Sequence, residues 1–499
     1  MEFKILKIKD FKNNSDGFSF YIFNLEEIKK HPFFENLSKE DKEFLLKIIE
    51  NNKESESNFF VFPLVSNPSK KVIILKKKGN WLLRYLQQDI RKIIQLAKDN
   101  KIKNLALFLK DFSHPSLDDK KITETLSTNI LMADFAFLKY KEKPKSGWPK
   151  IENIFLFTDK ISKEIKDGLK EGIIIGKEVN ECRDLANTPA GEMTPKKLAD
   201  YALFGSKKIK NLKVKILGEK ELKKLGCGGI LGVSKGSSEK PYLIILEYWG
   251  TKKNIQPLVF VGKGVTFDSG GLNIKLRESI SEMHLDMSGG AAVINGVQAI
   301  AKLGLKVNVI GLVPTVENMP SGSSYHPGDV LKTITGKTIE VINTDAEGRI
   351  ILADALGYAQ RYKPKLIVDI ATLTGAAVVA LGQRVTALFT NDEKLEQLSR
   401  KIGEISGDEV WPLPCWDDYF EDIKGNFGDI ANIGKTQWGG AIEGAIFLKQ
   451  FVGNLPWVHL DIAPTMTTIE EQNLAKGASG VGVRFLVELA RNINKYNLN

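Results

Sequence analysis

TIEVINTDAEGRIILADALGYAQRY, residues 338–362, holds two periodicities back to back. TIEVI (338–342) is an apolar, β-branched run that reads as a strand, and RIILADALGYAQRY (349–362) carries apolar residues at helical spacing with Gly357 as its weak point. Between them Asp345, Glu347 and Arg349 take every second position. In an extended segment alternate side chains share a face, so the three are expected to point the same way, with Ala346 and Gly348 opposite. The carboxyl end of a strand, before a helix, is where open α/β sheets place ligands. A solvated loop that happens to carry charge is the plainer account of a D-x-E pair taken alone.

The same mixture of runs extends toward both ends. In the N-terminal region KVIIL (71–75), LALFL (105–109) and NIFLF (153–157) read as strands, and KEDKEFLLKIIENN (39–52) and LLRYLQQDIRKIIQLAKDN (82–100) as helices. A long helical stretch, 160–189, follows, and beyond it strands and helices alternate without repeat or low-complexity insert. The pattern predicts an α/β protein: a small, basic N-terminal α/β domain over 1–160, then a larger α/β catalytic domain over 161–499 with a central mixed sheet flanked by helices. KYKEKPKSGWPK (139–150), with two prolines and almost no apolar residue, marks the approach to the boundary.

Composition excludes several classes. The chain has 499 residues, 42% hydrophobic and 26% charged, the balance of an ordinary globular protein. Its first residues, MEFKILKIKDFKNN, lack a continuous apolar core of the secretory kind, and no run of about 18 apolar residues could span a bilayer, so a soluble cytoplasmic protein without membrane partners is expected. Cys182, Cys227 and Cys415 are odd in number and far apart, which argues against a disulfide framework or a CxxC knuckle. The net charge of +10 is concentrated in residues 1–150, where 29 Lys+Arg face 20 Asp+Glu; KKVIILKKKG (70–79) is one focus. A nucleic-acid or structural role through this basic region is one reading, but no arginine-aromatic pattern accompanies the charge, and a solvated lysine-rich surface is favoured.

Conventional catalytic signatures are sparse. The five histidines are never within five residues of one another, so HExxH-type zinc sites are absent and metal chemistry would have to use oxygens. GVSKG (232–236) matches the G-x-S-x-G pattern of serine hydrolases at Ser234, yet a turn and a strand follow where the elbow needs a helix. TGKT (335–338) imitates a P-loop, but the first glycine of that motif would fall at Leu331. Residues 260–297, FVGKGVTFDSGGLNIKLRESISEMHLDMSGGAAVINGV, hold Lys263, Asp268, Lys275 and Asp286 in a glycine-rich frame between the apolar strand PLVFV and a small-residue helix starting near Ser288. With Asp345 and Glu347 this makes four carboxylates, whose repulsion two divalent ions would balance if they meet.

NTDAEGR together with VGKGVTFDSGG, the lysine after it and LDMSGGAAV resembles the leucyl aminopeptidase family, the cytosol aminopeptidases, which are dinuclear-metal exopeptidases. The likeness runs over most of 170–490, through NTPAGEMTP (187–195), DIATLTGA (369–376), FGDIANIG (427–434) and WVHLDIAP (457–464). It implies a metal-dependent aminopeptidase that attacks the first peptide bond with a water held by two divalent ions, Zn or Mn. Asp268 and Glu347 would bridge the ions; Asp345 would complete one site, and Asp286 with the neutral amine of Lys263 the other. Lys275 is expected to stay charged and polarise the scissile carbonyl, and Arg349 to hold a bicarbonate ion. Met283, Thr372, Leu373, Gly375 and Met466 would line the pocket for a leucine, methionine or similar apolar side chain. Peptides with a free N-terminus are the implied substrates and a homohexamer the implied assembly. Three positions depart from the family pattern: Gly191 stands where asparagine is usual, Pro464 follows DIA where glycine is common, and Glu443 interrupts a helix that normally has small residues.

Overall fold

The computed structural model describes the chain except residues 12–15, 23–27, 53–54, 56, 77–81 and 494–499, and describes the backbone alone at 18–22. Lysines 77 and 78 of the basic run therefore lie outside the described residues. The chain divides into two compact units, one of Met1–Lys177 with Ile469–Ala475 and the other of Glu178–Thr468 with Lys476–Asn499. The division falls inside a single helix, Lys163–Asn187, which the 160–189 stretch predicts.

The first unit is built on a six-stranded sheet in the order Glu2–Lys7, Asn153–Thr158, Asn104–Phe108, Gly17–Ile22, Lys71–Lys76, Phe59–Pro63. All neighbours are parallel except the last pair. The expected strands and helices form. Ser38 caps Lys39–Asn51 by accepting the Asp41 amide, and Leu83–Asp99 buries Leu83, Leu86, Ile90, Ile93, Ile94 and Ala97, the i, i+3, i+4 stripe of a helix lying on a sheet.

The second unit holds a nine-stranded mixed sheet. Its centre is four parallel strands in the order Trp457–Asp461, Leu366–Ala371, Leu258–Gly262, Asn308–Asn318. These strands are almost continuously apolar, as strands covered on both faces must be. Helix Ser288–Leu303 starts where the small-residue run predicts and is buried nearly throughout. Glu347–Ala359 packs on a separate apolar cluster that includes Val259, Val261, Ile310 and Leu312 of the sheet, and its Asp354 carboxylate accepts the Ile230 and Ile334 amides at 2.9 and 2.8 Å. Burial pushes that carboxyl up to about 7 despite the two amides.

Two local expectations are corrected. The strand before the Asp-Glu-Arg trio, Thr338–Glu340, belongs to a separate three-stranded sheet with Val330–Lys332 and Ile430–Ala431, not to the central sheet. The helix also begins two residues earlier than its apolar periodicity indicates, at Glu347. Glu347 and Arg349 therefore sit on the first helical turn, about 200° apart around its axis, and strand alternation does not govern their directions.

Candidate metal centre and active site

Four segments deliver the charged residues to one place. Lys263 joins strand Leu258–Gly262 to Gly264–Asp268; its amide bonds to the Ile370 carbonyl at 3.0 Å, and its own carbonyl accepts the Gly290 amide at 2.7 Å. Asp268 ends the second of those strands. Asp286 follows a short turn, Met283–Leu285, just ahead of helix Ser288–Leu303. Asp345 and Glu347 stand at the start of Glu347–Ala359. The centre of the site thus lies at the carboxyl ends of parallel strands Leu258–Gly262 and Leu366–Ala371, as ligand sites of α/β sheets do.

Asp268, Asp286 and Glu347 are buried and each brings one carboxylate oxygen within 4.8 Å of the others. Lys263 lies between two of them, its Nζ 2.9 Å from Asp286 Oδ1 and 2.8 Å from Glu347 Oε1, and donates to the Thr372 carbonyl at 3.1 Å. Gly348 leaves space for this side chain: a Cβ at that position would stand 2.4 Å from Lys263 Cε. Lys275 reaches Asp268 Oδ2 at 2.9 Å and Asp345 Oδ1 at 2.5 Å. The four carboxylates and two lysines of the expected set are therefore in one cluster.

The electrostatics are those of charges held out of water. Burial, then the neighbouring Glu347 charge, pushes the Asp268 carboxyl up to about 6 against the pull of Lys275 and Lys263. Burial raises Asp286 further and Asp345 in the same sense. For the two lysines burial works against the ammonium form, but the surrounding carboxylates outweigh it and hold both above the ordinary lysine value. Four carboxylates against two ammonium groups leave the cluster acidic.

The donor set suits divalent cations. Asp286 Oδ2 is buried without a hydrogen-bond partner, while Oδ1 takes the Thr372 hydroxyl at 2.7 Å, so one carboxylate oxygen is oriented and the other left for a cation. Carboxylate oxygens with one amine and no thiol fit Mn or Zn, and the hydrogen bonds that orient Asp268, from Asn318, and Asp286, from Thr372, are the support metal ligands need.

Other expected residues lie on separate segments. Thr372 is tied to Asp286 directly, and Leu373 meets the site through its amide, which donates to Asp461 at 3.0 Å. Gly375 starts helix Gly375–Leu381; Met283 opens the short turn that precedes Asp286, Met466 lies on a further loop, and both are half-buried. Arg349 is buried and turned toward the Asn432 carbonyl, which its Nη1 reaches at 2.9 Å, so it is not part of the carboxylate cluster itself. Ser234 follows helix Gly228–Val233 rather than a strand and spends its hydroxyl on the Leu231 carbonyl, which removes the nucleophile-elbow geometry.

Two supporting residues escape sequence reading. Asn318 donates to Asp268 Oδ1 and to the Thr344 carbonyl, at 2.8 and 2.9 Å, and so fixes Asp268 relative to the Asp345 loop. Asp461 grips the Thr372–Thr374 turn, accepting the Leu373 amide and the Thr374 hydroxyl. An aspartate ending an apolar parallel strand, as in WVHLD, is the signal that could have found the second.

The family model described as cytosol aminopeptidase family, catalytic domain, matches residues 180–487. This chain belongs to the cytosol aminopeptidase family. A probable cytosol aminopeptidase of Roseiflexus castenholzii is 39% identical over 444 residues, 88% of this chain and 90% of that one, and one of Geobacter sulfurreducens is 45% identical over 369 residues, 73% of each. Among solved structures, a mutant of tomato leucine aminopeptidase aligns with a TM-score of 0.87 at 29% identity, covering 99% of this chain and 96% of its own. The bottromycin maturation enzyme BotP in complex with Mn aligns at 0.82 and 27%, covering 96% and 99%. This cytosol aminopeptidase family member is accordingly a leucyl aminopeptidase-type, metal-dependent hydrolase acting on peptides. No helix among its described residues is long and apolar enough to cross a membrane.

Proposed function

We propose that the enzyme releases N-terminal residues, apolar ones such as leucine foremost, from peptides with a free amino terminus, using two divalent ions held by Lys263, Asp268, Asp286, Asp345 and Glu347. The observation that carries this reading is the meeting of three buried carboxylates, two of them on the Lys263 amine, with one Asp286 oxygen unpartnered. When bound, the ions supply a nucleophilic water at neutral pH and Lewis acidity toward the peptide carbonyl. Lys263 must release its proton to act as a ligand, since only the neutral amine has a lone pair. Mn has the support of the BotP complex and Zn that of the oxygen and nitrogen donor set.

The rest of the chemistry falls to the chain. Asp286 offers negative charge to the free α-amino group of the substrate, which restricts cleavage to the first peptide bond. Lys275, kept protonated by Asp268 and Asp345, stabilises the oxyanion that develops on the scissile carbonyl. Arg349, buried with Nε unpartnered, would hold a bicarbonate ion, which would supply a proton acceptor. Met283, Thr372, Leu373, Gly375 and Met466 would form the first side-chain pocket, and flexible methionines in it favour breadth among apolar residues.

The proposed setting is the cytoplasm and the proposed assembly a homohexamer. Val379, Phe427 and Trp438 support assembly: all three are large, apolar and more than 70% exposed on the second unit. Residues 1–160 would serve as an N-terminal domain and 161–499 as the catalytic one. Nucleic-acid binding through the basic N-terminal region remains the less favoured reading.

The test of the reaction uses paired peptides. Leu-Gly-Gly should lose leucine while its N-acetylated form stays intact, and Ser234→Ala should cleave as fast as the parent. Cleavage of the acetylated peptide, or loss of activity in the serine variant at unchanged stability, would count against the proposed chemistry.

A further inference from the structure

Arg349 and Glu443 grip one short segment from two sides. The guanidinium donates to the Asn432 carbonyl, and Glu443 Oε2 accepts the Gly434 amide at 3.1 Å. Gly434 admits the carboxylate, because a Cβ there would collide with Glu443 Oε1. Gly444, the next residue in helix Gly440–Lys449, lies against the guanidinium: a Cβ at 444 would stand 3.4 Å from Arg349 Nη2 and 3.0 Å from Leu373 Cδ2. Arg349 and Glu443 are 6% and 5% exposed, and each keeps one buried polar atom without a partner, Nε and Oε1. They make no ion pair within 4 Å among the described residues, yet each feels the other's charge, since water screens buried groups little.

We propose that Glu443 is a specificity residue of the Arg349 anion site: a built-in counter-charge that competes with a small oxyanion for the guanidinium and keeps its affinity low. This rests on the reading of Arg349 as an anion holder. A fixed negative charge inside a buried site repels an incoming anion and weakens its binding by about tenfold. The anion site of this chain is therefore weak and exchangeable.

The experiment follows the thermal unfolding midpoint of the metal-loaded protein against bicarbonate concentration, at fixed pH and at ionic strength held constant with chloride. The parent, Glu443→Gln, Glu443→Asp and Arg349→Ala are compared. Gln keeps the carbonyl that accepts the Gly434 amide but removes the charge, so it isolates the electrostatic effect. Expected are half-saturation at about tenfold lower bicarbonate in Glu443→Gln, near-parent behaviour in Glu443→Asp, and no response in Arg349→Ala. Equal or weaker binding in Glu443→Gln, a response that survives Arg349→Ala, or no response in any chain overturns the proposal. Leucine release by the parent, measured alongside, reports separately on the proposed aminopeptidase reaction.

Discussion

Lys263→Arg should remove nearly all activity and expel metal, whereas Lys275→Arg should keep both metals and measurable turnover. The two lysines look alike by contacts, each joining two carboxylates, and both are held protonated by them. Their proposed duties differ. A ligand needs a lone pair, which arginine never offers, and the Lys263 side chain is buried against Gly348, where a bulkier fork would crowd its neighbours. Lys275 needs only positive charge near the oxyanion, which a guanidinium supplies in part, so kcat falls but persists. Lys275→Ala should keep its metals and lose about 100–1,000-fold in kcat, the scale of one lost oxyanion donor. Metal analysis and kinetics on one leucine substrate decide the matter: two tightly held ions in Lys263→Arg with one lost in Lys275→Arg would show the roles to be exchanged.

Glu347→Gln should abolish turnover and leave fewer than two ions per chain. Glu347 is 1% exposed and belongs to the three-carboxylate cluster, so the substitution removes a charge from its middle while the fold keeps its shape. The neutral amide also leaves the Lys263 ammonium with one carboxylate fewer, strengthening its pairing with Asp286 at the cost of cation binding. Asp345→Asn should act the same way with a smaller loss of metal, because Asp345 is the most exposed of the four carboxylates and lies outside the tight cluster. Full metal content with full activity in Glu347→Gln would overturn the assignment of this residue.

What the sequence makes legible follows from the range of the interactions involved. The helices Leu83–Asp99 and Ser288–Leu303 and the strand Leu258–Gly262 are written in local periodicity or unbroken apolar runs, and they form where expected. The start of Glu347–Ala359 is not, because its first turn is polar for chemical reasons and hides the helical period; alternation then suggests a shared face that the helix does not provide. The small sheet holding Thr338–Glu340 pairs with residues about 90 positions later, which no local pattern announces. Asn318 and Asp461 act across 50 and 88 positions, on Asp268 and Leu373. Glu443 is visible in the sequence only as an odd charge in an apolar helix; that the next residue, Gly444, lies against Arg349 from 95 positions earlier is not written in any local pattern.

The charged residues of the cluster were readable for the opposite reason. Lys263, Asp268, Lys275, Asp286, Asp345 and Glu347 sit in glycine-bearing segments beside apolar strands, where charge has no solvated face to occupy. The structure brings all six together, and burial makes the concentration of carboxylates unfavourable unless cations balance it.

That imbalance sets the decisive measurement. Metal-free protein is titrated with Mn, and bound ions per chain and leucine release are read from the same samples. The account predicts no release without metal, and activity that rises with occupancy and saturates at two ions per chain. Full activity in metal-free protein, or saturation of binding at two ions with no release of leucine, would contradict it.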